Sequence, residues 1–123
     1  MSHTVHCPPH VCLVVGDDDP PLRTVRDATT LIGEALSCDA SAIAVPVEFL
    51  DPAFFDLATG YAGELLQKAA NYRLVLAVIG DVTPYAEHSR AFHDLVVESA
   101  RATGYCFVPA FDDLPGRLAR MRA

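Results

Sequence analysis

The sequence predicts a single α/β domain in which a mostly parallel or mixed sheet of four to five strands alternates with helices. Three observations carry this. Apolar runs rich in Val, Ile and Leu recur at 11–16, 42–47, 74–80 and 105–109. The stretches between them change to apolar residues at three- and four-residue spacing. Gly, Pro and Asp gather where the period changes. Helical connections of a dozen or more residues imply right-handed crossovers, and so mainly parallel neighbours. A chain of 123 residues suits one core, since dividing it leaves two marginal halves.

The first strand, 3–7, ends at Pro8-Pro9, neither of which can donate a ladder hydrogen bond, and it is placed to pair with the next. Val11-Cys12-Leu13-Val14-Val15-Gly16 is the second strand, closed by the turn signal Asp17-Asp18-Asp19-Pro20-Pro21. From Thr24 the helical period begins, with Val25, Ala28, Leu31, Ile32, Ala35 and Leu36 on one face. Thr24 is the cap, and Asp27 suits the positive end of that helix. Ala42-Ile43-Ala44-Val45-Pro46-Val47 is a third strand, limited near its end by Pro46. A loop or short helical turn follows at 51–56. A helix over 59–71 then turns Ala62, Leu65, Leu66, Ala69 and Ala70 inward, and Glu64, Gln67, Lys68 and Asn71 outward.

Leu74-Val75-Leu76-Ala77-Val78-Ile79-Gly80 is apolar on both faces, as a doubly covered parallel strand is, and belongs mid-sheet. One long helix is predicted over 84–103, with Ala91, Phe92, Leu95, Val96 and Ser99 inward and Gly104 as a left-handed cap. Tyr105-Cys106-Phe107-Val108-Pro109 is the last strand. A short basic helix over 113–123 carries Arg117, Arg120 and Arg122 toward its C-terminus, the charge order that the helix dipole prefers.

Residues of the apolar set make up 51% of the chain and charged residues 20%, a globular balance and not a disordered one. Nine Lys and Arg against 16 Asp and Glu give a formal charge of -7. That argues against a nucleic-acid or anionic-membrane partner, since both need a basic face. No apolar run approaches the ~20 residues of a membrane helix, and no basic segment followed by an apolar stretch opens the sequence. The cytoplasm is the expected compartment. Cys7, Cys12, Cys38 and Cys106 are scattered, and are expected to be reduced and mostly structural.

The stretch Phe54-Phe55-Asp56-Leu57-Ala58-Thr59-Gly60-Tyr61-Ala62-Gly63-Glu64-Leu65-Leu66-Gln67-Lys68-Ala69-Ala70-Asn71-Tyr72-Arg73, followed by a strand and Gly80-Asp81, resembles the bacterial family known as domain of unknown function 4180. The likeness runs on through Tyr85, Ser89, Phe92, Glu98 and Ser99, and back to Asp27, Leu31 and Ile32. It implies a fold and no particular activity. More distantly, the chain resembles STAS domains, the sulfate-transporter and anti-sigma-antagonist modules, in which a hairpin precedes alternating helices and strands. Val47-Glu48-Phe49-Leu50-Asp51 matches the stretch that those domains place at the end of a strand. Their regulatory members carry a phosphorylatable hydroxyl next. Here Pro52-Ala53-Phe54-Phe55 stands at that place, and Thr59 is the nearest hydroxyl.

Three constellations could carry chemistry. Asp56, Thr59, Gly60 and Glu64 lie where a loop meets a helix, and Thr59 as cap with free amides at 60–62 would make an anion-binding corner. The simpler alternative is that Thr59 only caps and that Gly60 and Gly63 permit close packing. Asp81, Tyr85, His88 and Ser89 follow the central strand at the edge where open α/β sheets place ligands. They gather an acid, a phenol and an imidazole for proton transfer, unless they form an ordinary connection. His3, His6, Cys7, His10 and Cys12 have metal-ligand residue types without a second ligand pair downstream, so a polar first strand is expected and no metal.

No dinucleotide fingerprint, phosphate loop, nucleophile elbow or zinc-protease motif occurs, and no cofactor is expected. Phe54, Phe55 and Tyr61, with Thr59, Gly60 and Asn71, form a candidate surface for a protein partner, a small molecule or a homodimer, provided the core does not claim the rings. The leading expectation is therefore a STAS-like binding or regulatory module working through 51–71. The alternative is a cofactor-independent isomerase, lyase or cyclase acting on an apolar metabolite, with Asp56, Glu64, Asp81, Tyr85 and His88 as its acids and bases.

Overall fold

The computed structural model describes residues 3–7, 10–16 and 22–121, apart from the side chains of Cys7 and Val25. The turns expected at Pro8-Pro9 and at 17–21, and the last two residues of the C-terminal helix, lie outside that description. Strands β1 (His3–Cys7), β2 (His10–Val14), β3 (Ala42–Pro46), β4 (Val75–Ile79) and β5 (Tyr105–Val108) form one sheet in the order β1-β2-β3-β4-β5. The β1–β2 pair is antiparallel, with Val5 opposite Cys12, and every later neighbour is parallel. A mixed five-stranded sheet with helical crossovers is the fold that the apolar runs predict.

Helices α1 (Val25–Ser37), α2 (Tyr61–Asn71) and α4 (Arg90–Ser99) all pack on one face, against Leu13, Ile43, Val45, Leu76 and Val78. Right-handed crossovers between sequential parallel strands put every connecting helix on the same side. The opposite face is left to α5 (Leu114–Arg120), whose Leu114 and Leu118, with Met121, cover Cys12, Ala42, Ala44, Ala77 and Cys106. Those five sheet residues are small and have no exposed surface, so a helix of only 7 residues can lie close enough to seal them. His10, on this same face, ties the seal down. Its Nε2 reaches the Met121 carbonyl at 3.1 Å and its Nδ1 reaches Ser41 Oγ at 2.9 Å. A carbonyl only accepts, which assigns the hydrogen to Nε2; the neutral ring then accepts the Ser41 hydroxyl at Nδ1. His10 is thus a buried structural group. Among the described residues no cluster of three metal-ligating side chains occurs.

Local chemistry explains both the agreements and the departures. Thr24 caps α1 in a reciprocal box: its hydroxyl accepts from the Asp27 amide, and Asp27 accepts from the Thr24 amide. The Arg23 amide adds a further hydrogen bond and holds the Asp27 carboxyl below the usual carboxylate range. Leu36, Ala70 and Ala91 are exposed although the pattern turned them inward. Each stands next to a buried residue, Ala35, Ala69 or Phe92, and one residue is about 100° around a helix, so one stripe buries only one of each pair. The helix expected over 84–103 divides into α3 (Thr83–His88) and α4, because Ser89 takes an extended conformation and accepts from the Phe92 amide as the cap of α4. Gly104 is not left-handed. The left-handed caps are Asp39 and Arg73, at φ 56° and 57°. Both close paired bonds, Ala40 and Asp39 amides to Ala35 and Leu36 carbonyls after α1, and Leu74 and Arg73 amides to Ala69 and Ala70 carbonyls after α2.

Candidate ligand cleft

Two connections leave the carboxyl edge of the sheet side by side. After β3 the chain makes three short 3-10 turns, Val47–Phe49, Pro52–Phe54 and Leu57–Thr59, and after β4 it enters α3. Gly80 lets the exits approach. Its φ is +135°, and a Cβ there would stand 2.6 Å from Cγ1 of Val47. Between the two connections lies an open cleft of about 580 Å³, with Pro52, Phe55 and Asp56 on one wall and Pro84, Tyr85, His88 and Ser89 on the other. The carboxyl edge is where open α/β sheets place ligands, although here the neighbouring loops shape the hollow and not a reversal of strand order.

A chain of aromatic rings holds the walls together. Phe92, fully buried in α4, meets Phe107 and Phe55 edge-on at 5.6 and 5.3 Å, and Phe55 then stacks on Tyr85 with centroids 3.7 Å apart. Rigid core packing therefore reaches the cleft surface through Phe55. The polar groups are each fixed locally. His88 Nδ1 lies 2.7 Å from the Pro84 carbonyl, which can only accept, so the neutral ring keeps Nε2 as its acceptor. Ser89 Oγ accepts from the Phe92 amide at 3.2 Å, leaving its O–H to donate. Asp56 accepts from the Ala58 amide at 3.1 Å in a tight turn, and its carboxylate is exposed.

Of the candidate proton-transfer residues, the cleft brings together Asp56, Tyr85 and His88 and leaves out Glu64 and Asp81. Glu64 is exposed on the first turn of α2. Asp81 accepts from the Thr83 amide at 2.9 Å. Hydrogen bonding by Thr83, side chain first, holds its carboxyl below the usual range. It borders a smaller hollow of about 150 Å³ with Thr83, Phe107 and Pro109.

The candidate contact surface is corrected more heavily. Phe54 is 0% and Phe55 6% exposed, because both rings join the aromatic core. Tyr61 is 8% exposed; its hydroxyl donates to the Thr24 carbonyl, joining the starts of α1 and α2. Burial, with Asp27 and Asp51 nearby, pushes the Tyr61 phenol up to about 12. Thr59 does not cap α2: Gly60, left-handed at φ 78°, occupies that position. Two of the three amides expected to be free are used, Gly60 to the Leu57 carbonyl and Tyr61 to Thr59 Oγ1, while the Thr59 hydroxyl faces the Ala53 and Asp56 carbonyls. Asn71 stays exposed and accepts from Gln67 at 2.9 Å. Sequence reasoning missed Pro52 and Pro84 as cleft walls. Their signal was a proline just beyond each of two strands predicted to be parallel.

No helix of the described residues is long and apolar enough to cross a membrane. Comparison with curated proteins and with solved structures gives no match. A family model matches residues 9–118, which hold the whole parallel sheet, the aromatic chain and both walls of the cleft. The chain belongs to the family described as a domain of unknown function, DUF4180.

Proposed function

We propose that this chain is a small binding module whose ligand sits in the cleft between the β3 and β4 exits. One observation carries the reading: residues far apart in sequence, 52–56 and 84–89, meet in a hollow of about 580 Å³ that pairs ring and proline surfaces with an imidazole, a hydroxyl and a carboxylate. Pockets for small molecules commonly join apolar walls to a few polar groups in this way. The chemistry fits a compact molecule with a flat apolar part for Tyr85 and the prolines, and a polar group for His88, Ser89 or Asp56. Burial of Phe54, Phe55 and Tyr61 supports a small ligand over a flat protein contact at 51–71. The regulatory side of the reading rests on the resemblance to STAS domains. A cytoplasmic setting accords with the free thiols of Cys38 and Cys106.

A second reading, acid–base catalysis on an apolar substrate, is favoured by the Pro84 contact that leaves His88 Nε2 as an acceptor. A thermal-shift screen of small aromatic and alicyclic acids, alcohols and ketones tests both. A hit that stabilises the wild-type chain and loses its effect in Tyr85→Ala supports the cleft. One that stabilises both proteins equally removes it. Conversion of the hit by the wild type, absent in His88→Gln, selects the enzyme.

A further inference from the structure

We propose that a second cleft, at the opposite edge of the sheet, binds a small multivalent oxyanion. It measures about 330 Å³ and lies between α5 and the segment 100–103 that leads into β5, lined by Ala100, Arg101, Ala102, Thr103, Arg117 and Arg120. The chain holds nine Lys and Arg against 16 acidic residues. Three of the nine nonetheless converge on this one hollow, and among the described residues no carboxylate side chain lines it.

The arginines are arranged, not merely close. Arg117 is half-buried, and its Nη2 donates to the carbonyl of Ser99 at the end of α4, which fixes the guanidinium and leaves its other N–H groups to bind. Arg120 follows three positions later, on the same side of α5. Arg101 faces them from the other wall. Among the described residues neither Arg101 nor Arg120 makes an ion pair, and the Thr103 hydroxyl makes no hydrogen bond. The amides of Ala100, Arg101 and Ala102 bond back to carbonyls of α4, so recognition falls on guanidinium forks and a hydroxyl. That donor set matches the oxygens of a phosphoryl group or a polycarboxylate. Cationic groups gathered without a countercharge raise the local potential, and a bound anion relieves it.

Calorimetric titration of the full chain with pyrophosphate and with citrate, at constant ionic strength, tests the site in the wild type and in Arg101→Gln/Arg120→Gln. Both substituted residues are exposed, so the variant is expected to melt with the wild type. The expected result is saturable binding at one site, weakened about ten-fold or more in the variant. Tighter binding of pyrophosphate identifies a phosphoryl ligand, and tighter binding of citrate a polycarboxylate. No saturable heat for either anion, or equal affinity in the two proteins, overturns the proposal.

Discussion

Phe55 and Tyr85 stack face to face with their planes 10° apart, one ring rooted in the core and the other 38% exposed. The stack ties the aromatic core to the wall of the cleft. Phe55→Ala removes a buried ring and is expected to cost about 3–5 kcal/mol. Tyr85→Ala removes a partly solvated partner and is expected to cost about 0.5–1.5 kcal/mol, while ligand binding is lost. Urea unfolding of both variants checks the ordering; equal losses would mean that Tyr85 is held by more than its stack.

Gly80 sets the spacing of the two exits. Gly80→Ala forces a Cβ against Val47 at a φ of +135°, so a loss of about 1–3 kcal/mol is expected. Adding Val47→Ala to it should recover part of that loss, because the clash is with the Val47 side chain. A double variant no more stable than the sum of the singles would show that backbone strain alone is responsible.

His10 ties β2 to Met121, at the C-terminal end of the described chain. His10→Ala leaves the Met121 carbonyl without its donor, and a destabilisation of about 1–3 kcal/mol is expected. Hydrogen exchange should show it as faster exchange in α5 than in α1, α2 or α4. Uniform loss of protection would contradict the role of His10 as a local tie.

Arg73 pays for a left-handed backbone at the end of α2. Arg73→Gly removes that strain, and a gain of about 0.5–1 kcal/mol is expected in denaturant melts. Replacement of Gln67, in the interior of α2, by Gly should instead lower stability by about 1 kcal/mol.

Tyr61 makes stability fall in alkali. Its phenol stays protonated in the folded chain up to about 12, against an ordinary value of 10.0. Between those values the unfolded chain loses its proton first, so a contribution fully present below pH 10 is lost as pH rises toward 12. The loss is on the order of 2 kcal/mol. Tyr61→Phe should flatten the decline between pH 10 and 12 and, lacking the bond to the Thr24 carbonyl, lower stability at neutral pH by about 1 kcal/mol.

The strands were legible because their burial writes itself into composition: Val75–Ile79 is apolar on both faces and can only be covered twice. The Thr24–Asp27 cap was legible because its signal is confined to four adjacent residues. Ser89 was not, since a serine inside a helical period reads the same whether it caps or faces water. Nor were Asp39 and Arg73, non-glycine residues whose left-handed turns are closed by amide bonds back to α1 and α2. The cleft was half legible. Tyr85 and His88 stood out at a strand exit, but their meeting with Pro52 and Asp56 depends on β3 and β4 being neighbours in register. The burial of His10 was not legible, because its partner Met121 lies 111 residues away.

The small-residue face beneath α5 also orders events in time. On a ribosome, the helices of the other face can dock as each βα unit emerges, but Cys12, Ala42, Ala44 and Ala77 stay uncovered until Leu114, Leu118 and Met121 have left the exit tunnel. A nascent chain halted before residue 114 presents a bare apolar sheet, the kind of surface that chaperones hold and that aggregates grow from. Synthesis past α5 is therefore the step that turns a half-built, adhesive intermediate into a finished domain.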